Sequence, residues 1–277
     1  MGLEQSMPAS SRAGRNVPAS IAVGVGLGAV IVGSLVWEKV LFVFVVLAAA
    51  LVALDELVRV FHNSGAKLSR IPLFAGTTAM LVAAYFGGPL ALLVALALTV
   101  LASIFWRMPS GSIGFVRDVT TSVFLIGYVP MLAAFAILLV QPDDDGPRRV
   151  VTFFLVVVAS DVGGYVVGVL FGKHPMAPTI SPKKSWEGFT GSTLACIGAG
   201  IASVVWLLDG HWWVGAIVGG VAVLTATVGD LAESMIKRDL GIKDMSNLLP
   251  GHGGVMDRLD SLLATAPAVW LLLHLLV

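Results

Sequence analysis

Residues Ile71–Trp106 read IPLFAGTTAMLVAAYFGGPLALLVALALTVLASIFW, an unbroken run without Asp, Glu, Lys or Arg. A spanning helix needs about 20 predominantly apolar residues to cross a hydrocarbon core about 30 Å thick. The run is too long for one such crossing. Gly87-Gly88-Pro89 at its middle breaks helix, so the stretch predicts two short crossings joined as a hairpin.

The rest of the chain repeats this pattern. Only 17 basic and 17 acidic residues occur among 277, or 12% charged against about 25% in soluble domains. Hydrophobic residues make up 57% and the mean hydropathy is +0.93. A soluble core of this size cannot hide so much apolar surface. The expected fold is therefore all-α: a polytopic integral membrane protein. The net charge of zero supplies no basic field to recruit nucleic acid. The single cysteine, Cys196, lies in an apolar run and supports neither an intramolecular disulfide nor a thiolate metal cage.

Because charges are few, they mark the ends of the spans. About nine are predicted: 19–37, 40–60, 71–86, 90–107, 115–140, 150–171, 189–208, 212–235 and 259–277. The first follows Arg12 and Arg15 as a signal peptide would, but no small-residue cleavage site is evident, and it is read as a retained span. Residues 1–18 form a Ser/Pro/Ala-containing tail, 19–149 an N-terminal membrane region and 150–277 a C-terminal region. With nine spans, 14 of the 17 basic residues fall on the side of the amino terminus, including Lys67, Lys183, Lys184, Lys237, Arg238 and Lys243. The opposite side holds Lys39, Arg148 and Arg149 beside Asp143-Asp144-Asp145. The positive-inside rule makes the first side cytoplasmic, in a plasma-membrane setting. The glycine pairs Gly24/Gly28 and Gly164/Gly168 read as close helix packing.

Ionisable residues within or at the edge of a span are costly and point to function. In the first half, Asp55-Glu56 and Asp118 read as interface anchors or local ion pairs. In the second half the charges cluster. Asp161 lies mid-span beside Gly163-Gly164, which points to a cavity rather than lipid. If the eighth helix continues past residue 237, Asp230, Glu233, Ser234 and Lys237 share one face, and Asp257, Asp260 and Ser261 repeat that spacing at the start of the ninth. Between them runs a loop with Lys237, Arg238, Lys243, Asp244, His252 and the flexible Gly251-His252-Gly253-Gly254. Opposed carboxylates suit Mg²⁺, which takes few protein oxygens and completes its shell with phosphate and water. Lysine and arginine beside them suit the remaining phosphate charge. The cluster reads as a site for a metal-bound polyphosphate. The alternative is a salt-bridge network closing one face, but it explains neither the glycines nor so many neighbouring acids.

At these residues the chain resembles the phosphatidate cytidylyltransferase (CDP-diacylglycerol synthase) family. The family signature is matched from 234 to 260 by Ser234, Lys237, Arg238, Lys243, Asp244, Ser246, Pro250, His252, Gly253, Gly254, Asp257, Arg258 and Asp260. The stretch SDVGGYVVGVLFGKH (160–174) and ISPKKSWEG (180–188) also resembles it, whereas residues 1–150 match only in being several hydrophobic spans. The resemblance implies cytidylyl transfer from CTP to phosphatidic acid, giving CDP-diacylglycerol and pyrophosphate, with Mg²⁺ required. It implies Asp230 and Asp257 as metal ligands with Asp260 close by, and Ser234, Lys237 and Arg238 lining the same site. It also implies a second, monovalent cation such as K⁺ and a homodimer, neither of which is visible in the sequence.

The chemistry fits the residues independently. The nucleophile is a phosphomonoester with a second pKa of about 6, largely ionised at neutral pH, so little general base is needed. Attack on the α-phosphorus needs charge neutralisation and in-line positioning. Lys237, Arg238, Lys243, Lys183 and Lys184 are the candidates for the first, with Asp244 and Arg258 taken into the substrate-binding set. His252 either donates to a phosphate or shapes the loop, and Trp186 either stacks on a base or anchors the interface. A CTP-dependent lipid kinase acting on an isoprenoid alcohol is the nearest alternative; an ion-coupled transporter is a more distant one, since internal repeats are not seen.

Overall fold

In lipid, a backbone that is not hydrogen-bonded within its own segment is costly, so apolar runs become helices. The computed structural model describes residues 17–246, 248 and 253–277. Its helices are α1 (Val17–Trp37), α2 (Lys39–Asn63), α3 (Arg70–Arg107), α4 (Phe115–Ile126), α5 (Leu132–Val140), α6 (Gly146–Phe171), α7 (Trp186–Leu207), α8 (Trp212–Asp239) and α9 (Met256–Leu276). Seven helical segments among the described residues are long and apolar enough to cross a membrane, and Gly28–Trp37 of α1 is apolar over a shorter length. Many hydroxyls inside the apolar helices are satisfied locally, as where Thr77 donates to the Leu73 carbonyl and Ser103 to that of Thr99.

The hairpin expected within 71–106 forms inside α3. Gly88 has φ 67° and ψ −160°, a conformation that only glycine adopts readily, and Pro89 follows it. The two arms fold back on each other, so that a Cβ at Gly76 would overlap the Thr99 side chain. The span expected over 115–140 is α4 and α5 joined by a π-helical turn, Gly127–Met131. Pro130 sits in that turn and lacks the N–H that a regular helix would use.

Two ends gather the connections. At one end Asp118, buried with Arg107 at 2.9 Å, accepts from the Lys67 backbone N–H, and Arg117 reaches the Gly65 carbonyl. Of the two readings the sequence left for Asp118, interface anchor or local ion pair, the structure shows the ion pair. At the same end Arg238 donates to the Ile180 carbonyl. At the opposite end Lys39 bonds Asp143, holding that carboxyl below its ordinary value, and Arg149 reaches the Leu273 carbonyl. The segments grouped by charge in the sequence are thus grouped in space.

The helical expectation holds with one addition, an antiparallel hairpin of β1 (Pro175–Ala177) and β2 (Ser181–Ser185) between α6 and α7. Two packing modes coexist. Leu54, Leu57, Leu73, Met80 and Leu81 fill the core among α2 and α3. Among α6, α7 and α8, small residues meet instead. A Cβ at Gly164 would lie 2.5 Å from Ser192 Oγ, and one at Gly191 would lie 2.6 Å from the Gly163 carbonyl. Gly164 and Gly168 therefore pack closely as expected. Gly24 and Gly28 do not, because a Cβ at either would meet nothing within 4 Å. That expectation is corrected: among the described residues, no helix packs against either glycine.

Candidate active site

The polar face of α8 forms because the helix does run on to Asp239, carrying Asp230, Glu233, Ser234 and Lys237 past the apolar segment. Glu233 is 1% exposed and pairs with Lys237 one turn on. The same ammonium donates to Asp257 Oδ1 at 2.8 Å, joining α8 to the first turn of α9. The other Asp257 oxygen accepts from the Gly254 N–H at 2.7 Å and the Met245 N–H at 3.0 Å. Gly253 has φ +79°, and a Cβ there would sit 2.8 Å from Asp257 Oδ2. The glycine turns the chain and leaves room for the carboxylate.

Higher on the same helices, Gly229 lets α8 and α9 touch: a Cβ there would lie 2.5 Å from the Asp260 carbonyl. This crossing brings Asp230 beside Asp260, whose carboxylate accepts from the Ser261 N–H at 2.7 Å. Asp230 is ion-paired with Lys184, which reaches it from β2. Next to this pair lies a cavity of about 290 Å³, with Asp161, Lys183, Lys184, Asp230 and Ser261 among its walls together with the aromatic rings of Tyr165 and Phe189. Asp161 therefore opens into a cavity, as its neighbouring glycines suggested. Arg258 is exposed, and its charge is felt at Asp161.

The other expected residues are less intimately placed. Ser234 is half-buried on α8, whereas Arg238, Lys243 and Asp244 are exposed around its C-terminal end. Trp186 stands outside the cavity wall, 55% exposed and edge-on to Phe189. Its helix is capped by Ser185, which accepts from the Gly188 N–H. His252 and Pro250 lie outside the described residues.

Two residues of the first half also reach the site. Glu56 on α2, read from the sequence as an interface anchor or local ion pair, is neither. Its carboxylate accepts from Ser246 Oγ at 2.5 Å and from the Val255 and Met256 N–H groups at 2.9 and 2.8 Å. Asp55 beside it does pair locally, with Arg59. Tyr128, in the π-helical turn, lies within the field of Glu233, Asp260 and Asp230. Its hydroxyl and Glu233 Oε1 are both buried without a hydrogen-bond partner among the described residues. No local pattern marks either residue, because the groups that Glu56 bonds and whose charge Tyr128 feels are distant in sequence.

Comparison with known proteins gives these positions a context. The family model described as "Cytidylyltransferase family" matches residues 19–276. A protein named phosphatidate cytidylyltransferase from Mycobacterium leprae (strain TN) is 44% identical over 291 residues, covering 99% of this chain and 93% of its own length. One of the same name from Mycobacterium tuberculosis (strain ATCC 25618 / H37Rv) is 44% identical over 287 residues, covering 99% and 87%. Another from Haemophilus influenzae is 44% identical over 119 residues, covering 41% of each chain.

Proposed function

The chain belongs to the cytidylyltransferase family, and from that premise we propose that it transfers a cytidylyl group from CTP to phosphatidic acid. The products are CDP-diacylglycerol and pyrophosphate. The observation that carries this reading is Asp230 paired with Lys184 on the wall of a cavity lined by both polar and apolar side chains, on the helix whose Lys237 bridges Glu233 and Asp257. A phosphate headgroup and an acyl-bearing glycerol need such a mixed lining.

A phosphatidate oxygen forms the new bond to the α-phosphorus of CTP, and the bond from that phosphorus to the bridging oxygen of the β-phosphate breaks. The nucleophile is already ionised near neutral pH, its second pKa being about 6, so no proton need be removed. Lys184 and Lys237 neutralise phosphate charge, and the preorganised carboxylates hold them in place. Arg238, Lys243 and Arg258 are exposed cations that would add positive charge for incoming phosphates.

Among the described residues, no three His, Cys, Asp or Glu side chains form a group able to hold a metal alone. Mg²⁺ does not require one, since it binds through one or two carboxylates plus phosphates and water. The donor set fits: Asp230 and Asp257 are hard oxygen donors whose negative charge is matched by lysine ammoniums. When bound there, with Asp260 close by, the ion would polarise phosphate oxygens and screen the leaving pyrophosphate. The same reading includes a second, monovalent cation such as K⁺ and a homodimer. It includes nine crossings, counting the arms of α3 separately, with the amino terminus and the site at the cytoplasmic face.

Radiolabelled CTP and phosphatidate, with product analysis, test the reaction. Pyrophosphate and a labelled lipid are expected, whereas release of CDP would indicate a kinase. EDTA should stop turnover and Mg²⁺ restore it. Cysteine probes added outside the cell should label position 144 but neither 184 nor 243; the reverse pattern would overturn the orientation.

A further inference from the structure

Glu56 is 5% exposed and accepts three hydrogen bonds from residues 190 to 200 positions away. Its donors are specific. Val255 and Met256 supply two of the N–H groups that a helix leaves without intrahelical partners at its start. A carboxylate there also opposes the positive end of the α9 dipole. Ser246 supplies the third bond and in turn accepts from the Leu248 N–H.

Asp257 takes the amides on either side of this set, Gly254 and Met245. Two carboxylates thus divide the loop between them. Asp257 holds 245 and 254, while Glu56 holds 246, 255 and 256. The fit is tight, for a Cβ at Gly254 would lie 2.6 Å from Glu56 Oε2. The segment that sets the direction of Asp257 is therefore fixed by a helix of the N-terminal half.

We propose that Glu56 is a positioning residue for the transfer reaction, its carboxylate fixing the start of α9 and so the placement of Asp257. The proposal rests on the catalytic reading of Asp257. Glutamine keeps the shape of Glu56 but replaces one acceptor oxygen by an amide donor, which opposes the N–H groups it would face.

The test uses full-length protein carrying Glu56→Gln, Ser246→Ala or Asp55→Asn, with hydrogen exchange and steady-state kinetics measured on each. Glu56→Gln should speed exchange of peptides covering 253–258 while leaving those of α6 and α7 unchanged. Its kcat should fall at least about tenfold, as expected when a reacting group is misplaced, with KM for phosphatidate within about twofold. Ser246→Ala removes one bond of three and should move both readouts the same way by about threefold. Asp55→Asn should match the unmodified protein in both. Faster exchange with unchanged kcat would make Glu56 a structural tie only, and unchanged exchange would show that it does not fix α9; either overturns the proposal. If Glu56→Gln does not fold, Ser246→Ala decides on the same two readouts. Normal turnover by Asp257→Asn would overturn the catalytic reading instead, and the exchange result would still stand.

Discussion

The two halves of the molecule are packed by different means. From α2 through α5, large aliphatic side chains such as Leu57, Leu81 and Ile137 interdigitate. From α6 through α8, backbones touch through Gly164, Gly191, Gly200, Gly215 and Gly219. Both modes are close-packed, but a backbone-to-backbone seam has no side chain that can turn aside to admit a new atom. The half with the rigid seam carries Asp161, Lys184 and Asp230, which the proposed reaction would need held to within fractions of an ångström. Small-residue contacts also suit lipid, where no hydrophobic drive brings helices together.

The largest effect expected from this division is at the site itself. Asp257→Asn should cut kcat by about 10³-fold, a barrier increase of about 4 kcal/mol, while leaving membrane insertion intact. A folded variant of near-normal rate would remove the C-terminal half's claim to the chemistry. Next, Lys237→Ala should cost about 2–4 kcal/mol in kcat/KM, kcat falling in parallel, whereas Lys67→Ala should change little. Lys67 lies at the same end of the molecule but enters the loop network through its backbone N–H. Equal behaviour of the two would reduce Lys237 to ordinary loop charge.

The remaining two predictions concern stability, read by thermal unfolding in detergent. Leu81→Ala should lower it by about 2–4 kcal/mol with kcat unchanged, as for other buried leucines. A matched pair of glycines then probes the seam. Gly219→Ala places a methyl against the Cys196 carbonyl and should lower both stability and activity, because α7 and α8 must part. Gly28→Ala meets open space and should stay within about 0.5 kcal/mol of the parent. Parity within this pair would show that the seam admits a methyl as readily as open space does.

Much of this architecture was legible in the sequence, for physical reasons that are local. Each span announced itself by an apolar run, and Gly88-Pro89 announced the hairpin because backbone conformation is decided by the residue and its neighbour. The α8–α9 cluster was legible because helical periodicity places Asp230, Glu233 and Lys237 on one face without knowledge of the rest. Contacts across the fold were not. Glu56 and Asp55 are adjacent acids, and nothing local says that one finds Arg59 and the other the start of α9. Gly28 and Gly168 look alike in sequence, and only the presence of a facing helix separates them. The β-hairpin at 175–185 escaped notice because its strands are three and five residues long.

The separation between Glu56 and its partners also has a meaning in time. Ser246 follows Glu56 by 190 residues, and at about 5–20 residues per second a ribosome needs roughly 10 to 40 s to make that stretch. Throughout that interval α2 has been synthesised while its acid still lacks its final donors, and water at the membrane edge must serve in their place. The docking of α2 against α9 is therefore a late step of biogenesis, completed only as the last helix emerges, and the protein acquires its working geometry near the end of its own synthesis.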